Sequence, residues 1–274
     1  MSLRPATTDE LASLAMEAVN DAAIGSAQAL VDYARAAPWK VQVSPEGDAV
    51  VFDRWRDHLD WLSMRAVWAA PGRLPAVVEA SRAVAREHGF DRVLSPLVAT
   101  ELAGPYERAG MTVATSLVLL RRDLEYRDAM TPPPAVPDGI TLVDGSPESL
   151  DEVLAVDQVS FEPLWAYDRT LLKSYLETDR LIEARTDLGE LAGFTLSGVE
   201  AGQGSLGRLA VLPSMRRRGL GGVLVQDAVR SLAWQGVPYV TLTTQVENEA
   251  ARGLYGSCGF RELRGILVAL TIGA

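Results

Sequence analysis

Leu206-Gly-Arg-Leu-Ala-Val-Leu-Pro-Ser-Met-Arg-Arg-Arg-Gly-Leu-Gly-Gly-Val-Leu-Val225 is the stretch on which the reading of this chain turns. An apolar strand runs into Pro213, a basic, glycine-rich turn covers Arg216 to Gly222, and an amphipathic helix starts at once, with Leu224, Val225, Ala228 and Leu232 on its predicted buried side. The first N–H groups of a helix have no partner inside it and carry partial positive charge, so such a turn suits an anion. Gly219, Gly221 and Gly222 let backbone approach phosphate oxygens with no Cβ in the way, and Arg216, Arg217 and Arg218 add charge beside them. Taken alone, the arginine run reads more simply as a solvated face. Two nucleotide fingerprints do not fit: Leu224 stands where Gly-x-Gly-x-x-Gly needs its last glycine, and no Lys-Ser/Thr pair follows as in a P-loop.

Outward from that turn, the pattern predicts strands over 140–143, 181–186, 190–199, 205–211 and 239–244. Helices are predicted over 147–159, 168–177, 220–235 and 248–257, with the last strand or strands in 260–271. The first half shows the same order. Thr8-Asp9-Glu10 caps a helical pattern that runs to about Ala36, followed by strands over 41–43, 49–52 and 61–69, a helix over 74–88, a strand over 92–97, a helix over 101–108 and a strand over 111–120. Gly104-Pro-Tyr-Glu-Arg-Ala-Gly-Met111 parallels Gly253-Leu-Tyr-Gly-Ser-Cys-Gly-Phe260, which points to two copies of one fold. The prolines at 132, 133, 134 and 137 fit neither helix interior nor central strand, so 126–138 reads as a stiff linker between domains 1–125 and 139–274. Strands and helices mixed in this way predict an α/β or α+β sheet covered by helices.

Composition narrows the function. The chain has 274 residues, 48% of them apolar, enough for two cores. Its net charge of −10 argues against a nucleic-acid partner. One cysteine, Cys258, permits no internal disulfide, and two histidines, His58 and His88, permit no histidine-rich metal site. No apolar run reaches the length of a membrane span and the start is not a signal peptide, so the expectation is a cytoplasmic, membrane-free monomer or homodimer.

Two motifs together resemble the GNAT superfamily of N-acetyltransferases. Arg216-Arg-Arg-Gly219-Leu-Gly221 matches Gln/Arg-x-x-Gly-x-Gly/Ala after a strand, and Asn248, Ala251, Leu254, Tyr255, Gly259 and Phe260 match Asn-x-x-Ala-x-x-Leu-Tyr-x-x-x-Gly-Phe. The resemblance covers about 135 residues, from Gly139 to Ala274. It implies two tandem GNAT-like domains, each a mixed, mostly antiparallel twisted sheet flanked by helices. It further implies that acetyl-CoA is the co-substrate and that a primary amine of a small molecule or peptide attacks it directly. The backbone of Leu209, Ala210 and Val211 would then pair with the pantetheine arm, and the amides of Arg217, Arg218, Gly219, Leu220, Gly221 and Gly222, beside Arg216, would hold the pyrophosphate. Asn248 would touch the cofactor, and Tyr255 would protonate the leaving thiolate as general acid.

Bland readings stand beside these. Tyr255 also suits a core aromatic on an apolar helix face, and Cys258 reads as packing rather than nucleophile. Glu162, Asp168, Glu183 and Glu190 are carboxylates near the presumed cleft, with no basis for choosing a general base among them. Phe161-Glu-Pro-Leu-Trp165 could line the acceptor pocket or plug the core, and Gln245 and Glu247 could touch a ligand or be loop polars. The first half lacks the phosphate turn: Trp68-Ala-Ala-Pro-Gly-Arg-Leu-Pro75 stands there instead, so it reads as a degenerate copy that binds no acetyl-CoA. The other class of function compatible with the sequence is a non-catalytic acyl-CoA-binding, sensing or interaction protein.

Overall fold

The computed structural model describes residues 1–18 and 27–274 and divides into two compact units: 1–116 with 266–274, and 117–265. The helical pattern expected through Ala36 crosses 19–26, which lie outside the described residues.

Unit 1 runs β1 (Arg4–Pro5), α1 (Thr8–Ala18), α2 (Ala27–Ala36), β2 (Val41–Val43), β3 (Ala49–Arg56), β4 (Leu59–Trp68), α3 (Leu74–Glu87), β5 (Arg92–Leu94), β6 (Val98–Ala99), α4 (Gly104–Arg108) and the start of β7 (Thr112–Asp123). Unit 2 begins within β7 at Leu117. It continues with α5 (Tyr126–Met130), β8 (Ile140–Asp144), α6 (Leu150–Ser160), α7 (Arg169–Thr178), β9 (Arg180–Thr186), β10 (Leu191–Glu200), β11 (Gln203–Val211), α8 (Leu220–Trp234), β12 (Tyr239–Gln245), α9 (Glu249–Ser257) and the first residues of β13 (Arg261–Gly273). Two helices, three antiparallel strands, a helix, a strand paired in parallel and a short helix recur in the same order in both units, as the paired Gly-apolar endings predicted.

The boundary differs from the sequence expectation in two ways. Part of the supposed linker is α5, whose N-terminus is closed by reciprocal bonds between Glu125 and Asp128, and which packs on α8. The units also exchange strands. In unit 1, β13 pairs with β5 through Thr271↔Leu94 and with β6 through Val268↔Val98; in unit 2, residues 117–123 of β7 pair with β12 from Gln245↔Leu117 to Tyr239↔Asp123. A cut at the prolines therefore separates each unit from a strand it needs. Leu270 and Val268 lie in the unit 1 core with Phe52, Leu62 and Val93, and Leu120 and Val118 lie in the unit 2 core with Val225, Ala228 and Leu232.

In unit 2 the sheet order is β7-β12-β11-β10-β9-β8, with α8 covering one face and α6 and α7 the other. β11 carries a bulge: Ser197↔Leu206 is followed by Leu196↔Arg208, which leaves Gly207 as the extra residue. An extra residue reverses the side-chain alternation. Leu206 packs under α8, whereas Arg208 and Ala210 turn to the α6 and α7 face.

Candidate active site

β11 and β12 pair in parallel only at Gly204↔Val240 and Ser205↔Thr241, then separate. Beyond that point the edge of β11 has no strand beside it. The N–H of Leu212 donates to Ala192 of the β10 side at 2.9 Å, so by alternation Ala210 also faces β10, while Leu209 and Val211 face the gap. This corrects one expectation: Ala210, opposite Phe194, has its polar backbone turned to β10 rather than to a ligand in the gap.

The chain then turns through Pro213–Met215 into α8. Gly219 stands at the helix N-cap with φ +83°, the left-handed region that only glycine adopts freely, and Arg217 precedes it at φ +63°. Among the described residues, no backbone N–H from Arg217 to Gly222 finds an acceptor; the helix ladder starts when Val223 donates to Gly219 at 3.2 Å. A row of unpaired N–H groups at a helix N-terminus is an anion cradle. Arg217 and Arg218 are exposed and form no ion pair with the described residues, but Arg216 is spent differently: its guanidinium donates to the carbonyls of Val211 at 3.1 Å and Ser160 at 3.3 Å, clipping the turn to the end of α6.

Asn248 caps α9, its Oδ1 accepting from the Ala251 N–H at 3.1 Å, so that oxygen is already in use. Tyr255 is 8% exposed, packs edge-on against Phe260, and belongs to the core cluster that Leu209 and Leu254 border. Burial pushes its phenol pKa up to about 12, with Cys258 adding to the rise and the positive charge of Arg208 opposing it. Cys258 is buried and its thiol is pushed up by the same desolvation, which suits packing rather than nucleophilic attack.

Phe161 and Trp165 stand together, as part of something the sequence reading missed. Arg208 is held bidentately by fully buried Asp157 at 2.6 and 2.8 Å, donates to the Trp165 carbonyl at 2.9 Å, and stacks on the rings of Phe161 and Tyr167. The signal was present: an arginine inside an apolar strand and an aspartate inside the apolar run of α6. The carboxylates first considered as bases are less concentrated. Glu162 and Glu190 are exposed, Glu190 closing the β9–β10 turn through its N–H to Thr186, and Asp168 caps α7. Glu183 is buried against Arg185 at 2.7 Å, and its Oε1 has no hydrogen-bond partner among the described residues. Gln245, half-buried at the end of β12, pairs with Leu117, and Glu247 is exposed. A cleft of about 560 Å³ between α5 and α8, lined by Arg122, Asp128, Pro134, Arg230 and Cys258, includes neither Tyr255 nor any turn residue.

Residues 150–260 match the acetyltransferase (GNAT) family, a span that holds both the turn and Tyr255. The chain contains a GNAT acetyltransferase domain. Among curated relatives, a mycothiol acetyltransferase of Clavibacter michiganensis is 28% identical over 202 residues, 65% of this chain and 66% of that one. The ribosomal protein bS18-alanine N-acetyltransferase of Escherichia coli is 35% identical over 77 residues, 28% of this chain and 52% of that one. The chain thus spans just under two thirds of the first relative and about half of the second. Two solved structures share the fold across both units. A GCN5-related N-acetyltransferase from Sphaerobacter thermophilus has a TM-score of 0.68 at 18% identity over 99% of this chain and 95% of that one. A tandem GNAT protein from the clavulanic acid biosynthesis pathway has a TM-score of 0.68 at 19% identity over 99% and 98%. The GNAT domain therefore sits in a chain whose whole architecture is that of tandem GNAT proteins.

Proposed function

We propose that this protein is an acetyl-CoA-dependent N-acetyltransferase whose catalytic domain is unit 2. The observation that carries the proposal is the row of unpaired N–H groups from Arg217 to Gly222 in front of α8, beside a β11 edge that β12 leaves open. The turn would hold the pyrophosphate, with Arg217 and Arg218 as the free cations, and Leu209 and Val211 would hold the pantetheine amides as a neighbouring strand does. Acetyl-CoA supplies a thioester. The amine nitrogen of the acceptor bonds to its carbonyl carbon, the C–S bond breaks, the amine loses a proton, and the departing thiolate takes one. Tyr255 is the donor: with its pKa pushed up to about 12, the phenol carries its proton at neutral pH.

The corresponding turn of unit 1 supports a single cofactor site. The Arg73 N–H donates to Ala70, Ala76 and Val77 donate back to the Arg73 carbonyl, Pro75 has no N–H, and the Arg73 guanidinium is held by buried Asp48 at 2.8 Å. One relative is named for acetylating an alanine of ribosomal protein bS18; a primary amine of a small molecule or peptide is the matching class here, in a protein that works free of membranes in the cytoplasm.

Thermal unfolding with acetyl-CoA, CoA, longer acyl-CoAs, ATP and NAD tests the proposal. A ligand that binds only the native state stabilises it by RT ln(1 + [L]/Kd), about 2.7 kcal/mol at a hundredfold excess over Kd. Stabilisation by acetyl-CoA that is lost in Gly221→Glu supports it. No response to any CoA species refutes it.

A further inference from the structure

Three carboxylates line the cleft between α5 and α8, Asp123, Glu125 and Asp128, and each is already spent. Asp128 accepts from the Arg122 guanidinium and from the Glu125 N–H. Glu125 accepts from the Asp128 N–H and from Arg127, and Asp123 is held by Arg121 and Arg261. The donors of the cleft are not spent. Arg230, on its α8 wall, makes a single hydrogen bond among the described residues, a long one of 3.4 Å from Nη2 to Asp227. The other oxygen of that carboxylate belongs to Arg180, at 2.7 Å. The Nε–H of Arg230 is buried with no hydrogen-bond partner among the described residues. Such a donor costs about 1–3 kcal/mol, and an ionised oxygen placed against it turns that cost into a charge-assisted bond. A second cleft, of about 420 Å³, meets the first at Pro134 and Arg230 and continues along Val136, Ile140, Leu142 and Ile182. Arg230 thus stands where a polar cleft joins one with an apolar wall, and neither cleft includes Tyr255 or any residue of 216–222.

We propose that this junction is a second ligand site, separate from the glycine turn, for an organic oxyanion: a carboxylate or phosphate monoester whose charged head bonds to Arg230 and whose apolar part lies along Val136, Ile140 and Leu142. A cationic ligand finds no free acceptor, because every carboxylate of the first cleft is engaged. A wholly apolar one leaves the Arg230 Nε–H unmade. The chain as a whole, at a net charge of −10, repels anions, so affinity has to come from this local arrangement of donors. The size of the two clefts suits a metabolite, for which pockets run to about 300–1,000 Å³. The site does not depend on the acetyltransferase reading of the turn.

The test is titration of the full chain with hexanoate and with hexyl phosphate at constant ionic strength, followed through the NMR signal of the Arg230 side-chain Nε–H. Arg230→Lys, which keeps a cation beside Asp227 but has no Nε–H, identifies that signal by its loss. At least one of the two anions should shift it saturably, with Kd below about 1 mM, and the one that does so names the head group. Hexanol and chloride should leave it in place. The shift should persist in the double variant Arg217→Gln with Arg218→Gln, which removes the exposed cations of the turn. In Arg230→Gln, where Arg180 still holds Asp227, calorimetry should read an affinity at least tenfold weaker. No saturable shift with either anion overturns the proposal, and so does an equal response to hexanol or chloride. Loss of the shift in the double variant places the anion at the turn and overturns it as well, as does an affinity unchanged in Arg230→Gln.

Discussion

A Cβ placed on Gly221 would stand 3.1 Å from Cδ2 of Leu254, the residue immediately before Tyr255. Gly221, in the first turn of α8, therefore governs how closely α8 approaches α9. Gly221→Ala should be absorbed by a small shift of the Leu254 side chain at a cost within about 1 kcal/mol, whereas Gly221→Val should overpack the contact by about 1–3 kcal/mol. Because α9 carries Tyr255, Gly221→Val should also lower kcat more than tenfold; urea unfolding and acetylation assays read the two effects.

Gly219 has nothing within 4 Å of its missing Cβ, so its requirement is conformational alone. At φ +83° an L side chain costs about 1–2 kcal/mol. Gly219→Ala should lose that much stability in thermal or urea unfolding, and Kd for acetyl-CoA should rise as the turn relaxes.

Tyr255→Phe should leave acetyl-CoA binding intact and lower kcat by about 10²–10⁴-fold, the usual worth of a positioned general acid. With the folded pKa raised to about 12 and the free value near 10, the protonated phenol is the form that folding favours. Its stabilising contribution is thus complete below about pH 10 and is lost as pH rises toward 12. The pH–rate profile should show no alkaline limb from this group below about pH 10.

Asp157→Ala should destabilise the protein by about 3–5 kcal/mol, because it strands the Arg208 guanidinium in a largely buried site. Asp157→Asn with Arg208→Gln should recover much of that loss. Chemical denaturation of the single and double variants makes the comparison.

Removing residues 266–274 takes β13 out of the unit 1 core, where Leu270 is fully buried and Val268 nearly so. Loss of one such side chain costs about 2–5 kcal/mol, so the truncated chain should show unit 1 open to proteolysis. A cut at residue 125 should fail for the matching reason, since it removes residues 117–123 of β7 from β12.

How much of this was legible beforehand follows the range of the interactions. The helix over 220–235 and the strands over 41–43 and 140–143 agree with the structure to within a residue or two, because each rests on local periodicity and on punctuation by glycine and proline. Residues 126–130 form α5 where the prolines that follow predict a linker; the competing local signal is the short Glu125–Asp128 capping box. The resemblance places Arg216 beside the pyrophosphate, yet its reach to Val211 and Ser160 depends on where α6 ends relative to the turn.

The sequence by itself determined the repeated order of elements, the turn with its glycines at 219, 221 and 222, and the place of Tyr255 on its helix, since each of these is set within about a dozen neighbouring residues. The tertiary structure alone decided which strand closes each unit and which charges meet. β13 completes unit 1 because its apolar residues find their partners in β5 and β6, more than 160 residues earlier along the chain. Arg208 meets Asp157 because one extra residue in β11 turns its side chain to the face that α6 covers. Pairings over such distances leave no periodic trace, because burial and register, not spacing, select them.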